Sequence, residues 1–192
     1  MEIKNLNREE IGDVYRLHMQ ADFPAEELKS LSMILNACEN GFYRVEGFYQ
    51  DNQLIAYACI ATMPEKANHP VLLDYLAVVR SRRDEGWGSQ VLDKLNGAYP
   101  NGILIECEAV HTATGPDDRA NRERRIHFYT KNGARIQPFD VTLFGVRFSI
   151  LLLGGTEKTD ARQSLLNLYS IILGKKRKQQ FMTVHENNYL TT

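Results

Sequence analysis

The chain has 192 residues, 43% hydrophobic and 24% charged, a composition typical of one globular domain with or without a small appendage. Its 23 basic and 24 acidic residues give a net charge of −1, so we expect neither nucleic acid nor a membrane surface as a partner. Three widely spaced cysteines without a Cys-x-x-Cys pair argue against a disulfide framework or a metal site. With an N-terminus that lacks an apolar signal core, they predict a cytoplasmic protein.

The first third of the chain predicts an edge strand, two helices and a β-hairpin. After the edge strand, Asn7 is followed by two glutamates, which is typical of a helix N-cap. Pro24 suits the first turn of a second helix, which Asn40-Gly41 would end. Aromatic and β-branched residues then flank the turn Asp51-Asn52, which indicates a hairpin of two strands.

The remaining elements surround a nearly continuous apolar strand. Residues 71–79 are apolar except for Asp74, which is typical of a central strand, and a turn leads from them into a helix at Trp87. The pattern then predicts, in order, a strand over residues 102–110, a helix over 119–131, strands over 134–145 and 146–153, a helix over 160–178 and a polar tail from Gln179. This order predicts an α+β fold, with a mixed, mostly antiparallel twisted sheet and helices on both faces.

The junction between the central strand and the helix at Trp87 has the features of a phosphate-binding turn. Glycines at positions 86 and 88 allow the backbone to approach a ligand, and the first N–H groups of the helix lack partners within it. Neither the dinucleotide-binding fingerprint nor a Walker A loop is present, since position 91 is valine and no Gly-Lys-Ser/Thr occurs. From these residues alone, an ordinary turn with solvated arginines remains an alternative.

Two motifs together resemble the GNAT family of N-acetyltransferases. Arg83-x-x-Gly86-x-Gly88 resembles the family's first signature, and residues 124–133, RRIHFYTKNG, resemble its fourth-helix motif. The order of elements matches over about residues 1–153, most closely that of small bacterial members. Arg122 stands where many members have an asparagine that touches the cofactor, although Asn121 is adjacent.

The resemblance implies that acetyl-CoA is the co-substrate and that an amine attacks its thioester directly, without an acyl-enzyme. The pantetheine arm would lie between the strands at 71–79 and 102–110, and the pyrophosphate would sit on the glycine-bearing turn. The residues implied to bind acetyl-CoA are Leu76, Ala77, Val78, Arg83, Asp84, Glu85, Gly86, Trp87, Gly88, Ser89, Asn121 and Tyr129. Whether the acyl group is acetyl or slightly larger is left open.

Four residues are candidates for catalysis. Glu106 and Glu108 share one side of a strand and Asp74 lies on a neighbouring strand, so carboxylates gathered there would suit a general base. The alternative is that these charges pair with Arg124 or Arg125. By the resemblance, the Tyr129 hydroxyl would hydrogen-bond the sulfur and protonate the leaving thiolate, the alternative being a tyrosine of the core.

These residues predict an N-acetyltransferase that acts on a primary amine of a small, cationic molecule, because the carboxylates would attract a cation. A protein or peptide N-acetyltransferase and a non-catalytic acyl-CoA-binding regulator are the alternatives. Gly154-Gly155 marks a boundary between an acetyltransferase domain, residues 1–155, and a C-terminal helix and tail, residues 156–192. We expect this tail to pack on the domain or on a second subunit, in a monomer or a homodimer.

Overall fold

A computed structural model of the chain describes residues 1–25, 27–63 and 69–186. The strands are β1 (Glu2–Asn5), β2 (Tyr43–Gln50), β3 (Gln53–Ala61), β4 (Val71–Val78), β5 (Ile103–Glu108), β6 (Arg135–Leu143), β7 (Val146–Leu153) and β8 (Met182–Glu186). The α-helices are α1 (Arg8–Val14), α2 (Gln20–Asp22), α3 (Leu31–Glu39), α4 (Trp87–Ala98), α5 (Pro116–Lys131), α6 (Ala161–Ile172) and α7 (Lys175–Phe181).

The strands form one sheet in the order β1-β2-β3-β4-β5-β7-β6-β8. The pairs β1–β2, β2–β3, β5–β7, β6–β7 and β6–β8 are antiparallel. The α+β fold with a mostly antiparallel sheet that the sequence predicts is therefore confirmed. The chain forms two compact units, the first of Met1–Ala67 with Leu73–Gly97 and the second of Asn68–Leu72 with Ala98–Thr192.

In the first unit, the predicted start of α1 is confirmed and that of the second helix is wrong. The Asn7 side chain accepts hydrogen bonds from the backbone N–H groups of Glu9 and Glu10, each at 3.0 Å, and so caps α1. Helix α3 begins at Leu31 rather than near Pro24, because the extended Ser30 is its N-cap and accepts from the N–H of Met33 at 3.3 Å.

The core of this unit includes residues of the hairpin and of α4. Side chains of β2 and β3 are almost fully buried, and α4 buries one face of its helix. These buried residues are Phe48, Ile55, Tyr57, Ile60, Val91, Leu92 and Leu95. Helix α4 begins at Trp87 and ends at Ala98, as the sequence predicts.

The second unit is a four-stranded antiparallel ladder with three helices. Ile103, Leu104 and Ile105 of β5 pair with Leu153, Leu152 and Leu151 of β7, and all six are buried. Helix α5 starts at Pro116, three residues before the predicted start at Arg119, because proline is well suited to a first helical turn and needs no N–H partner there.

The C-terminal part of this unit differs from the sequence prediction. The predicted single helix over residues 160–178 is two helices, since Gly174 between them has a φ of 75° that interrupts the helix. The polar tail expected from Gln179 completes α7 and then forms β8, which pairs with β6 from Leu143↔Met182 to Phe139↔Glu186. Residues 187–192, and most of a polar loop predicted over residues 63–70, lie outside the described residues. Within the described residues, the helices are too short or too polar to cross a bilayer.

Candidate active site

In the first unit, the turn between β4 and α4 has the backbone geometry of a ligand-binding turn. It passes through a short 3-10 helix, Arg80–Arg82, before α4 begins at Trp87. Asp84 and Gly86 adopt left-handed conformations, with φ of 64° and 80°. A Cβ placed on Gly86 would meet nothing within 4 Å, so the backbone at this turn is open to a ligand.

The N-terminus of α4 offers several free backbone donors. The N–H groups of Trp87, Gly88 and Ser89 belong to the first turn and have no acceptor within the helix. Among the described residues, none of these groups forms a hydrogen bond to another part of the chain. Because α4 has 12 residues, its dipole also favours an anion at this end. The predicted pyrophosphate contacts at positions 86–89 therefore occur in one donor-rich turn.

Acidic side chains hold the arginines beside this turn. The Arg83 guanidinium donates to the Val78 carbonyl at 3.0 Å and to Asp22 Oδ1 at 2.6 Å, and Arg80 Nε reaches the same Asp22 oxygen at 3.2 Å. The Tyr57 hydroxyl donates to Asp22 Oδ2 at 2.9 Å. The Asp22 side chain is only 3% exposed, so it is a buried anchor for the turn.

Asp22 is a residue that the sequence interpretation missed. In the sequence it marks only the interruption of a helix before a proline, and its partners lie 35 to 61 residues further along the chain. An acidic residue near a helix end could have been considered as a partner for the arginines at positions 80–83, but the sequence offers no further indication of this contact.

A second cluster in the turn surrounds Glu85. Its carboxylate accepts from the Trp87 indole N–H at 2.8 Å and from Arg82 Nε at 3.1 Å, while the Arg82 guanidinium lies 5.4 Å from the centre of the Trp87 ring. The hydrogen bond from Trp87, and then that from Arg82, lowers the pKa of the Glu85 carboxyl.

Three further residues predicted to contact acetyl-CoA lie at the end of β4. They are Leu76, Ala77 and Val78, and all three are half-buried.

The candidate base Asp74 is already engaged within the first unit. Lys29 Nζ donates to its two oxygens at 2.9 and 2.7 Å, and the Tyr43 hydroxyl donates to Oδ2. Burial, followed by the charge of Asp74, raises the pKa of Tyr43, so this phenol stays protonated as a donor. Both oxygens of Asp74 thus already accept hydrogen bonds within the unit, which counts against Asp74 as the base.

In the second unit, the two candidate glutamates of β5 are held by different helices. The Tyr169 hydroxyl of α6 lies 2.8 Å from both Oε1 and Oε2 of Glu106. Glu108 instead faces guanidinium groups of α5, with Arg122 Nη2 at 3.2 Å and Arg125 Nη1 at 3.4 Å. The pairing with Arg125 was one of the alternatives for these charges, whereas Arg124 donates to Asn121 Oδ1 at 2.9 Å.

Arg122 connects the start of α5 to the end of β5. Besides Glu108, it contacts Asp118 at 2.8 Å and the Ala109 carbonyl at 2.9 Å, and its side chain is only 11% exposed. It therefore serves as a structural clamp at the position where many family members carry an asparagine. The neighbouring Asn121 is exposed, and its side-chain oxygen accepts a hydrogen bond from Arg124.

Tyr129 lies on α5, half-buried, with its ring edge-on to Phe128 at 5.1 Å. Burial, followed by the neighbouring Cys107, raises the pKa of its phenol above the usual value. Its hydroxyl forms no hydrogen bond with any residue that the structure describes, whereas the Tyr43, Tyr57 and Tyr169 hydroxyls all do.

Cys107 of β5 is buried, and burial raises the pKa of its thiol to about 12. This cysteine is therefore not a nucleophile near neutral pH.

Each unit thus brings together part of the predicted site. The first contains the donor-rich turn and Asp74, and the second contains Glu106, Glu108 and Tyr129. Among the described residues, no group of three or more His, Cys, Asp or Glu side chains is arranged to hold a metal ion.

Many proteins that bind phosphate-bearing ligands have an open turn that leads into the N-terminus of a helix. Comparison with known families narrows this class, because the model of the "Acetyltransferase (GNAT) family" matches residues 9–134, more than half of the chain. The chain therefore belongs to the GNAT acetyltransferase family, which confirms the resemblance noted from the two motifs.

Solved structures support the same fold. A GNAT-family protein from Bacteroides thetaiotaomicron matches with a TM-score of 0.70 at 15% identity, over 91% of this chain and 99% of that one. A chimera of a Vibrio cholerae spermidine N-acetyltransferase has a TM-score of 0.57 at 9% identity, over 81% and 97% of the two chains. An aminoglycoside 6'-N-acetyltransferase complexed with coenzyme A has a TM-score of 0.54 at 14% identity, over 83% and 100%. A sequence search of curated proteins found no match.

Proposed function

We propose that the protein is an acetyl-CoA-dependent N-acetyltransferase that moves an acetyl group directly to a primary amine of a small, cationic molecule. Membership of the GNAT family supports the reaction class. The free N–H groups at the start of α4 and the open backbone at Gly86 fit the pyrophosphate of coenzyme A. A structural neighbour with the same fold is itself a complex with coenzyme A.

The observation that carries this proposal is the Tyr129 hydroxyl, which has no hydrogen-bond partner in the described part of the chain. The raised pKa keeps its proton in place near neutral pH, so it is available to donate. A phenol hydroxyl can both donate and accept a hydrogen bond, so this hydroxyl can donate to a ligand. In acetyl transfer that ligand would be the sulfur of the leaving thiolate.

The proposed reaction needs one base and one donor. The amine nitrogen forms a bond to the acetyl carbon as the bond from that carbon to sulfur breaks. Glu106 takes the proton that the amine loses, directly or through a water molecule, and Tyr129 supplies hydrogen bonding and a proton to the sulfur. Glu106 is the proposed base because the Tyr169 phenol donates to it, and because the ion pairs of Asp74 and Glu108 count against those two carboxylates.

A carboxylate and the named activities of structural neighbours support a small, cationic acceptor. The carboxylate of Glu106, the proposed base, would attract an ammonium group, whereas Lys29 already pairs with Asp74 and two arginines pair with Glu108. Two structural neighbours are named for spermidine and for aminoglycosides, which are cationic amines. Another is named for the alanine of ribosomal protein S18, so peptides belong among the acceptors to be tested.

A panel of primary amines, assayed by release of free thiol from acetyl-CoA, tests this proposal. The panel should contain polyamines, aminoglycosides, amino acids and short peptides. We expect turnover with at least one small cationic amine, and a loss of kcat of about 10²-fold or more in Tyr129→Phe and in Glu106→Gln. Tyr49→Phe is the matched control, since it removes a phenol hydroxyl from β2, away from the proposed machinery, and should leave kcat unchanged.

Three results would contradict the proposal or one part of it. Tight acetyl-CoA binding without thiol release for any amine would identify an acyl-CoA-binding regulator instead. Turnover with peptides alone would show that the acceptor is not a small cationic amine, although the reaction would still be N-acetyl transfer. Unchanged turnover in Glu106→Gln would remove Glu106 as the base.

A further inference from the structure

Tyr169 makes the most specific contact to the candidate base. Its hydroxyl is 2.8 Å from each oxygen of Glu106, although the two residues are 63 positions apart in the chain. The Tyr169 side chain is 5% exposed, so little water competes with this contact. The residue lies on α6, beyond the stretch 9–134 that the family model matches.

Helix α6 is firmly held where it presents Tyr169. Asp160 caps its start by accepting from the N–H of Gln163 at 2.9 Å, and Leu165 and Leu168 are fully buried. From α7, Lys178 Nζ donates to the Leu166 carbonyl at 3.2 Å and the Ser170 hydroxyl at 2.7 Å. The helix is therefore a fixed part of the second unit.

We propose that Tyr169 is a positioning residue for Glu106 and that α6 thereby completes the active site. This inference rests on the proposed function, because it assigns Tyr169 a role in the same acetyl transfer. Tyr169 acts through Glu106 and does not itself touch the reacting atoms.

The chemistry of the contact suits a base better than an ion pair would. A hydrogen bond donated to a carboxylate favours its ionised form and fixes its orientation. A guanidinium or ammonium partner would also favour the ionised form, but it would do so more strongly and leave a weaker base. A phenol therefore orients the carboxylate and keeps most of its ability to take a proton from an amine.

The other groups around β5 do not duplicate this role. Helix α5 directs its arginines to Glu108, and β7 places Phe148, Ser149 and Ile150 opposite Glu108, Cys107 and Glu106. Cys107 and Glu108 on this strand, Arg122, Arg125 and Tyr129 of α5 and Tyr169 of α6 are among the titratable or charged groups around it. Tyr169 donates a direct hydrogen bond to Glu106.

Tyr169→Phe tests the inference, because it removes the hydroxyl and keeps the ring that packs in the core. Without this donor the carboxylate is protonated more readily, so the acidic limb of the pH profile of kcat should move upward by about one pH unit. We therefore expect about a tenfold loss of kcat at the acidic end and a smaller loss at high pH, with an unchanged KM for acetyl-CoA. Tyr49→Phe should leave both the limb and kcat as in the wild type.

A double-mutant cycle separates positioning from a general effect on structure. In a Glu106→Gln background, Tyr169→Phe should have no further effect on the residual turnover or on its pH profile. A uniform loss at every pH, or the same loss in both backgrounds, would overturn the inference and leave the proposed function standing. Absence of turnover in the wild type would overturn both.

Discussion

The buried carboxylate of Asp22 holds the arginines beside the turn between β4 and α4 in the first unit. It accepts hydrogen bonds from Arg80, Arg83 and Tyr57, and it is almost excluded from water. Arg80 and Arg83 are themselves 63% and 44% exposed, so their charges are partly screened and add little to the attraction of an anion. The main contribution of this cluster is therefore the geometry of the turn, which places the N–H groups of α4.

We expect Asp22→Asn to raise the KM for acetyl-CoA several-fold with less than a twofold change in kcat. The amide keeps the shape of the side chain but cannot balance two guanidinium groups, so the turn loses its anchor. Destabilisation of about 1–3 kcal/mol should accompany this change, because charged hydrogen bonds are lost in a buried place. Initial-rate kinetics over a range of acetyl-CoA concentrations and urea unfolding provide the two measurements.

The control for Asp22 is another acid–arginine pair at the surface. Asp13 contacts Arg16 at 2.7 Å, but both side chains are 58% exposed, so Asp13→Asn should change neither KM nor stability measurably. An equal effect of the two substitutions, or an unchanged KM in Asp22→Asn, would show that the anchor does not govern binding of acetyl-CoA.

At the scale of the elements, the sequence correctly predicted those helices and strands that depend on interactions between residues close together in the chain. The cap at Asn7, the start of α4 at Trp87 and the strands of the hairpin depend on residues close together in the sequence. The start of α3 was missed because Pro24 is compatible with a helix start while the Ser30 cap is a matter of side-chain geometry. The second helix of the C-terminal segment was missed because it depends on a single glycine with positive φ.

The contacts that define the candidate site are mostly long-range. The two motifs predicted which residues form the turn and which helix carries Tyr129. They carried no information on Tyr169 or Asp22, whose partners are more than 30 residues away and leave no periodic pattern in the sequence. The same is true of the cations that face Asp74 and Glu108, since a strand pattern predicts the side of a side chain but not its partner.

We expect loss of the N-cap of α6 to lower both the stability of the protein and its kcat. Asp160→Ala removes the side chain that accepts from Gln163 N–H, which should cost about 1 kcal/mol. Because fraying of the first turns loosens the helix that presents Tyr169, we expect kcat to fall about twofold to fivefold as well. Thermal unfolding and thiol-release kinetics measure the two effects.

Asn7→Ala is the matched control for the α6 cap. It removes a comparable cap from α1, which carries none of the proposed catalytic residues, and should reduce stability by a similar amount with an unchanged kcat. A loss of kcat in both variants would show that activity follows stability and not the position of α6.

At the scale of the whole molecule, the chain continues well beyond the part that the family model matches. Residues 9–134 contain the turn that we propose binds acetyl-CoA and the helix of Tyr129, and β6, β7, α6, α7 and β8 follow this stretch. In the second unit this later part supplies both the partner of Glu106 and the last strand of the sheet. The C-terminal part is therefore tied to the site through Tyr169 and to the sheet through β8.

Removal of α7 and β8 should expose a sheet edge. A chain that ends at Leu173 keeps α6 and Tyr169 but uncovers β6, whose Phe139 and Val141 are buried in the full chain. An uncovered strand with apolar side chains is a template for pairing with other molecules. We expect the shortened chain to unfold at least roughly 5 °C lower and to associate as its concentration rises. Calorimetry and light scattering test this against the full chain.

Arg162→Ala is the control, because it removes the exposed contact to Glu186 at 3.1 Å and should change neither measurement. If the shortened chain matched the full chain in unfolding temperature and mass, β8 would be dispensable for the stability of this edge.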